Sequence, residues 1–338
     1  MDTEFHFYMT GIIAKSAGFK EKEAKIIATA SEYVDENDVC LKVEDRDSGE
    51  VYQNYISQTM NILKPKQKLM RIYPVFHFVP GNPADERACR CDGKMHLLCT
   101  TPDNKLANKW IDAAFQAPKP TRLYRIGIAT HAYADTWAHQ NFVGWYDFYN
   151  DIALDVKPNI GHADAEHHPD WPAHRWVDMR LVEDEVHNNE RFLDAAEKIY
   201  KKYAKYTKQL NRNANSSWNA LRKDLTLAMG DSFSGNHIRY RDERMQRYRK
   251  LAPWLGDFDE RAWFNKAIDV NVRGLKDADN GLLSMFTMMR DELFWKKDIA
   301  KSKTHWFQFQ EAVKAHQAVA MEDLDKLFNK MGIDLHRV

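Results

Sequence analysis

Neither sign of charge is in surplus: 49 lysines and arginines stand against 49 aspartates and glutamates, so the formal charge is zero. That excludes a globally basic nucleic-acid coat and an acidic tail protein. Proline and glycine are sparse, 11 and 14 in 338 residues, too few breakers for widespread disorder. No apolar run approaches the ~20 residues of a membrane span. The first twenty residues, MDTEFHFYMTGIIAKSAGFK, begin acidic and lack a long apolar core, so no secretory signal is expected. Four cysteines are too few for a disulfide scaffold, and a reducing cytoplasm is the expected compartment. Neither G-x4-G-K-S/T nor G-x-G-x-x-G occurs, which argues against a standard nucleotide cradle.

What is present is core material, 44% hydrophobic and 12% aromatic, in helical order. The segments 21–38, 121–142, 189–210, 216–230 and 305–332 place apolar residues three and four apart over more than three turns. The expected fold class is all-α, a helical bundle. One short β-hairpin excursion is expected at about 70–101, where MRIYPVFHFVP alternates weakly and Asp92-Gly93 is a favoured two-residue turn. Residues 155–175 combine proline with histidine, a loop rich in ligand-type side chains. The chain divides into residues 1–175, which carry the chemistry, and 176–338, an additional helical region expected to pack on that core.

Six of the 14 histidines fall between residues 131 and 174. In THAYADTWAHQNF, His131, Asp135 and His139 lie four apart, and each such step on a helix rotates the side chain by only roughly 40°. All three should project from one face, where imidazole and carboxylate can converge on one divalent ion or on neighbouring ions. His162 and Glu166 repeat the spacing just beyond. His6 follows Asp2 by four residues, and His77 sits in the apolar stretch VFHFVP, where a lone imidazole would be costly to bury. Asp35 closes the amphipathic stretch 21–38. Singly, His77 reads as a satisfied core histidine and Asp35 as a solvated helix end.

Their order along the chain resembles the superfamily of bacterial zinc-dependent phospholipases C and fungal or plant single-strand-specific zinc nucleases. The resemblance covers about residues 1–170 and is strongest in HAYADTWAHQNF. It implies a helical bundle with two or three zinc ions at the bottom of a cleft, Mn2+ or Fe2+ being alternatives. By the same resemblance His77, His131, Asp35 and Asp135 hold one ion, His139, His162 and Glu166 a second, and His6 a third that shares Asp135. Members of the superfamily use the amine of an N-terminal Trp; here Asp2 or the Met1 amine would substitute, and Asp38, Asp45 or Asp47 is an alternative to Asp35. The implied reaction is hydrolysis of a phosphoester by a metal-bridging hydroxide, with Asp35 and Asp135 as catalytic carboxylates. The substrate would be a phosphodiester or phospholipid, or alternatively single-stranded nucleic acid. A non-catalytic helical scaffold with a structural metal cluster is the competing class.

Three weaker signals complete the sequence. Cys89, Cys91, His96 and Cys99 could form a small zinc clamp, or be reduced hairpin cysteines. Ser232 in GDSFSG could be a nucleophile, though it follows a long helix and reads better as a helix-end turn. The basic run 239–250 reads as a solvated helix face that could also meet phosphates. Phe5, Phe7, Phe76, Phe78, Trp137, Phe142 and Trp145, interleaved with the candidate ligands, are expected in the core rather than stacked on substrate.

Overall fold

A computed structural model describes residues 1–59, 66–152, 161–234, 238–273 and 290–334. The chain enters through a π-helix, Glu4–Met9, and continues as α1 (Thr10–Ser16) and α2 (Glu21–Glu36). A hairpin, β1 (Lys42–Glu44) and β2 (Val51–Gln53), leads to α3 (Lys66–Met70) and α4 (Tyr73–Phe76), then to α5 (Lys105–Phe115) and α6 (Lys119–Ala138). After the histidine-rich loop come β3 (Arg175–Val177), β4 (Glu185–His187), α7 (Asn188–Gln209), α8 (Trp218–Met229) and α9 (Ile238–Leu251). The chain closes with α10 (Ala262–Ala267), β5 (Ile268–Arg273), β6 (Arg290–Trp295) and α11 (His305–Lys330).

Local chemistry accounts for several helix starts. Asn104, Ser217 and Thr304 accept hydrogen bonds from the backbone N–H groups of Ala107, Ala220 and Phe307 at the heads of α5, α8 and α11. The Glu23 carboxylate reaches back to the Lys20 N–H at the start of α2. Along α7, Phe192, Ala195, Ala196, Ile199 and Tyr203 form one buried stripe, as the three-and-four spacing requires.

The protein is mostly helical, with strands where the sequence did not suggest them. A four-stranded sheet runs β2-β1-β6-β5, in which β1 and β6 are parallel, pairing Val43 with Leu293. Its Trp295 ring packs on Trp306 at 5.6 Å, seating the sheet against the head of α11. A second pair, β3 and β4, is antiparallel. The expected excursion at 70–101 holds instead α4, a turn at Asp92-Gly93 and isolated bridges from Pro80 to Thr100 and from Arg90 to Leu181. Pro74 explains part of this, because it suits a helix start and lacks a donor for a ladder.

Helix α6 is the central element, in contact with α2, α4, α5, α7 and α11. One cluster of buried side chains runs from Phe5 through Ile128 and Tyr203 to Phe328, so its members lie on both sides of residue 175. α2 packs tightly on α6 at Gly127, where a Cβ would sit 2.5 Å from the Ile27 carbonyl oxygen and 2.6 Å from Ala30 Cβ. That approach places the second half of α2, with Ser31 and Asp35, against His131 one turn further along α6. Among the described residues, no helix is long and apolar enough to cross a membrane.

Two stability predictions follow from α6. Gly127→Ala forces the helices apart and should cost about 1–3 kcal/mol; urea unfolding checks this, and an unchanged midpoint would exclude the close packing. Arg125 is buried, and among the described residues no carboxylate pairs with it, so burial alone lowers its pKa to about 10. Removing that uncompensated charge with Arg125→Met should raise stability by about 1 kcal/mol or more, seen as a higher melting temperature.

Candidate metal centre

The centre forms where the π-helix, α2, α4, α6 and the loop after residue 161 meet. π-Helical segments are rare and concentrate at functional sites. Here the π-helix carries His6, whose ring stacks on His131 at 3.7 Å and whose Nε2 lies 3.1 Å from Asp135 Oδ1. From α6 come His131 and Asp135, and His139 occupies the position just after the helix ends. α4 ends at His77. Three groups of donors result, each with its ligand atoms within 4.8 Å of one another: His6, Asp35 and His131; His77, His131 and Asp135; His139, His162 and Asp170. These groups could hold metal ions.

The orientation of the imidazoles decides what they can bind. His131 Nδ1 donates to the Ser31 carbonyl at 2.8 Å, His77 Nε2 to the Ser57 carbonyl at 2.9 Å, His139 Nδ1 to the His77 carbonyl at 2.9 Å, and His162 Nδ1 to the Glu166 carbonyl at 2.7 Å. A carbonyl oxygen only accepts, so each of those nitrogens carries the ring proton. In a neutral ring the opposite nitrogen is then a lone pair. His131 Nε2 and His77 Nδ1 face each other at 3.1 Å, and each lies 3.3 Å from Asp135 Oδ2. His139 Nε2 and His162 Nε2 face Asp170 at 3.4 and 3.3 Å. With neutral rings these contacts set acceptor against acceptor, a conflict relieved either by a second ring proton or by a metal ion, and imidazoles anchored through their far nitrogen are the usual support of a metal site.

The charge states agree with that chemistry. His6 is lowered to about 3 by burial and by the neighbouring His131 and Met1 amine, so it stays a neutral donor. Burial lowers His162 as well, against the pull of Asp170. Asp135 is buried, which opposes ionisation, yet His139, the Met1 amine and His131 hold it well below the usual carboxylate range. Asp170 is held down in the same way by His162 and the Met1 amine. His77 moves upward: burial disfavours its charged form, but Asp135 and Asp35 outweigh it.

Two expected ligands lie elsewhere. Glu166 is exposed, in a backbone conformation with φ 51°, and its carbonyl accepts from His162 Nδ1. Asp170 stands in the place foreseen for it, because residues 162–166 form a short 3-10 turn rather than an α-helix and the x3 spacing no longer puts both side chains on one face. The signal for Asp170 was present in the HHPD turn, four residues beyond Glu166. Asp2 turns to the Glu4 N–H at 3.1 Å, and the Met1 amine lies 2.5 Å from Asp135 Oδ1 and 3.2 Å from Asp170 Oδ1. Asp35 faces His77 and His131 at 3.7 and 3.6 Å, whereas Asp45 is spent on the Asp47 and Ser48 N–H groups of an exposed turn.

The other signals resolve into structure. Phe5, Phe7, Phe76, Phe78, Trp137, Phe142 and Trp145 are all buried, and Phe78 stacks on His139 at 4.2 Å. Among the described residues no three of Cys89, Cys91, His96 and Cys99 converge; Cys91 Sγ donates to the Leu181 carbonyl, and Cys99 is buried against Tyr149. Ser232 lies exposed after α8. In the basic run, Arg244 is buried and bonded twice to Glu4, Arg247 pairs with Glu243 and Arg249 with Asp257. Much of its charge is thus committed within the molecule.

This donor arrangement defines a helical protein with a buried histidine and aspartate centre. A family model matches residues 1–324, and the chain belongs to that family of unknown function, DUF6765. No curated protein and no solved structure matches the chain.

Protons compete with metal for these donors. Because His77 is raised while His162 is lowered, acidification should release an ion from the His77, His131 and Asp135 group first. Metal content measured after equilibration from pH 8 down to pH 5 should fall in two steps, the earlier one abolished by His77→Ala. A single step, unaffected by that change, would contradict the assignment.

Proposed function

We propose that the protein is a metal-dependent hydrolase of phosphoesters, acting on a phosphodiester or phospholipid-type bond at a centre of two or three divalent ions. The observation that carries this is the set of imidazole nitrogens, each with its opposite ring nitrogen held by a backbone carbonyl, that converge on Asp135 and Asp170 in one site. A donor set of imidazoles and carboxylates suits zinc, with manganese or iron as alternatives. The sequence resemblance to zinc-dependent phospholipases C and zinc nucleases supports the same chemistry and a fold of that helical type.

Divalent cations bound there would supply Lewis-acid neutralisation of the phosphoryl oxygens and activation of water at neutral pH. The protein's own part is positional. Asp135 is within 3.5 Å of His6, His77, His131 and His139, so one carboxylate ties the donor groups together. Asp35 is the carboxylate with a solvent-facing side, its side chain 30% exposed, and is placed to orient an attacking water and take its proton. His162 and Asp170 are also partly exposed, at 18% and 11%. Full burial of His6, His131 and Asp135 behind them excludes bulk water from the interior of the centre. Nucleic acid is the less favoured substrate, since several arginines of the basic run are held in ion pairs.

The test is metal content per chain on protein purified without chelator, with hydrolysis of bis(4-nitrophenyl) phosphate measured alongside. Two or three equivalents are expected, with about one lost in His131→Ala and in His139→Ala. Activity should drop by at least about 10²-fold in Asp35→Asn, with the ion of the His139, His162 and Asp170 group retained. A wild-type content near zero would sink the proposal, and full metal without phosphoesterase activity would favour the structural cluster.

A further inference from the structure

Asp170 comes from a loop, and a loop carboxylate needs support to hold a ligand position. We infer that Asn188, coupled to Arg191, is the positioning residue that sets Asp170 opposite His139 and His162. The inference rests on the metal-centre reading above and concerns only the ion at that group.

Asn188 is the first residue of α7 and is fully buried. Its side-chain amide donates to the carbonyls of His168 at 2.7 Å and Trp171 at 2.8 Å, with that of Pro169 at 3.4 Å. These carbonyls bracket Asp170 in the chain, so a single amide nitrogen gathers the turn that presents the carboxylate. The backbone N–H of Asn188 donates to the His174 carbonyl at 2.9 Å, closing the far end of the same loop. Its Oδ1 accepts from the indole of Trp176 and from Arg191, both at 3.3 Å.

Arg191 carries the connection across to α6. While one of its terminal nitrogens holds Asn188, the other donates to the Ala138 carbonyl at 2.9 Å. Ala138 is the last residue of α6 and precedes His139. The bonded path therefore runs from the residue before His139, through Arg191 and Asn188, to the turn bearing Asp170. His139 and Asp170 thus reach their 3.4 Å separation through a fixed frame rather than through loop sampling. Outer partners of this kind typically change metal affinity by about 10- to 100-fold.

Asn188→Asp keeps the size and the acceptors for Trp176 and Arg191 but replaces the donating amide with a carboxylate facing three carbonyls. Arg191→Lys keeps the charge and breaks the two-armed bridge. Zinc equivalents and zinc affinity, read by competition with a chromophoric chelator on the full chain, are compared with wild type, His131→Ala and His139→Ala. The expected result is a 10- to 100-fold weaker site in Asn188→Asp and about 10-fold in Arg191→Lys, affecting the ion lost in His139→Ala and sparing the one lost in His131→Ala. A purely structural role would weaken every ion in step with the melting temperature, and that outcome overturns the inference. So does wild-type affinity at every ion in both variants. Should Asn188→Asp fail to fold, Arg191→Lys alone decides. Wild-type protein that binds no zinc overturns the metal centre itself, whereas intact zinc binding with unaffected variants overturns only the positioning role.

Discussion

The structure depends on keeping Asp135 ionised in the interior. An isolated carboxylate at this depth would neutralise or unfold its surroundings. Here imidazoles from the π-helix, from α4 and from both sides of Asp135 along α6 surround it, and the Met1 amine lies against its Oδ1. Each of those groups is brought in by a different segment, so the arrangement of elements and the charge balance at the centre are one problem. Gly127 bears on it directly, since the approach of α2 that it permits brings the Ser31 carbonyl to His131 Nδ1 and Asp35 to the open side.

Hydrogen bonds outside the donor set do much of the work of orienting it. Four histidines are anchored through carbonyls of Ser31, Ser57, His77 and Glu166, groups that any residue type could provide. The centre is consequently held by backbone geometry as much as by side-chain identity. Glu166 serves the site through its backbone: its carbonyl fixes the His162 ring, and Asp170 faces that ring from the next turn. The same division places the histidines of α6 on a rigid helix and Asp170 on a loop braced by Asn188.

Much of the helical content was legible because helical spacing is a local property, repeated every three to four residues along α2, α7 and α11. That His131, Asp135 and His139 share one face follows from the same periodicity, and Asp135 Oδ2 does lie within 3.5 Å of both histidines. The strands were not legible. β1 has only three residues, and its parallel partner β6 is some 250 residues away in the chain, a pairing that no local pattern encodes. Pro74 made 70–79 a helix end where weak alternation had suggested a strand. Glu166 and Asp170 show the limit at the site, because helical spacing carries over only where the backbone is helical, and past residue 161 it turns.

The sequence by itself determined the supply of ligand-type side chains, the neutral overall charge, the helical register of the α6 donors and the aromatic residues that become core. These are set by residue identity and by rotation per residue, which act within a few positions. Only the tertiary structure decided which carboxylate faces His139 and His162, which ring nitrogen of each histidine is free to bind, and how Asp35 meets His131 across the helix pair. Those depend on distances between segments remote in sequence, and such distances are fixed by packing, above all by the close crossing of α2 and α6 at Gly127.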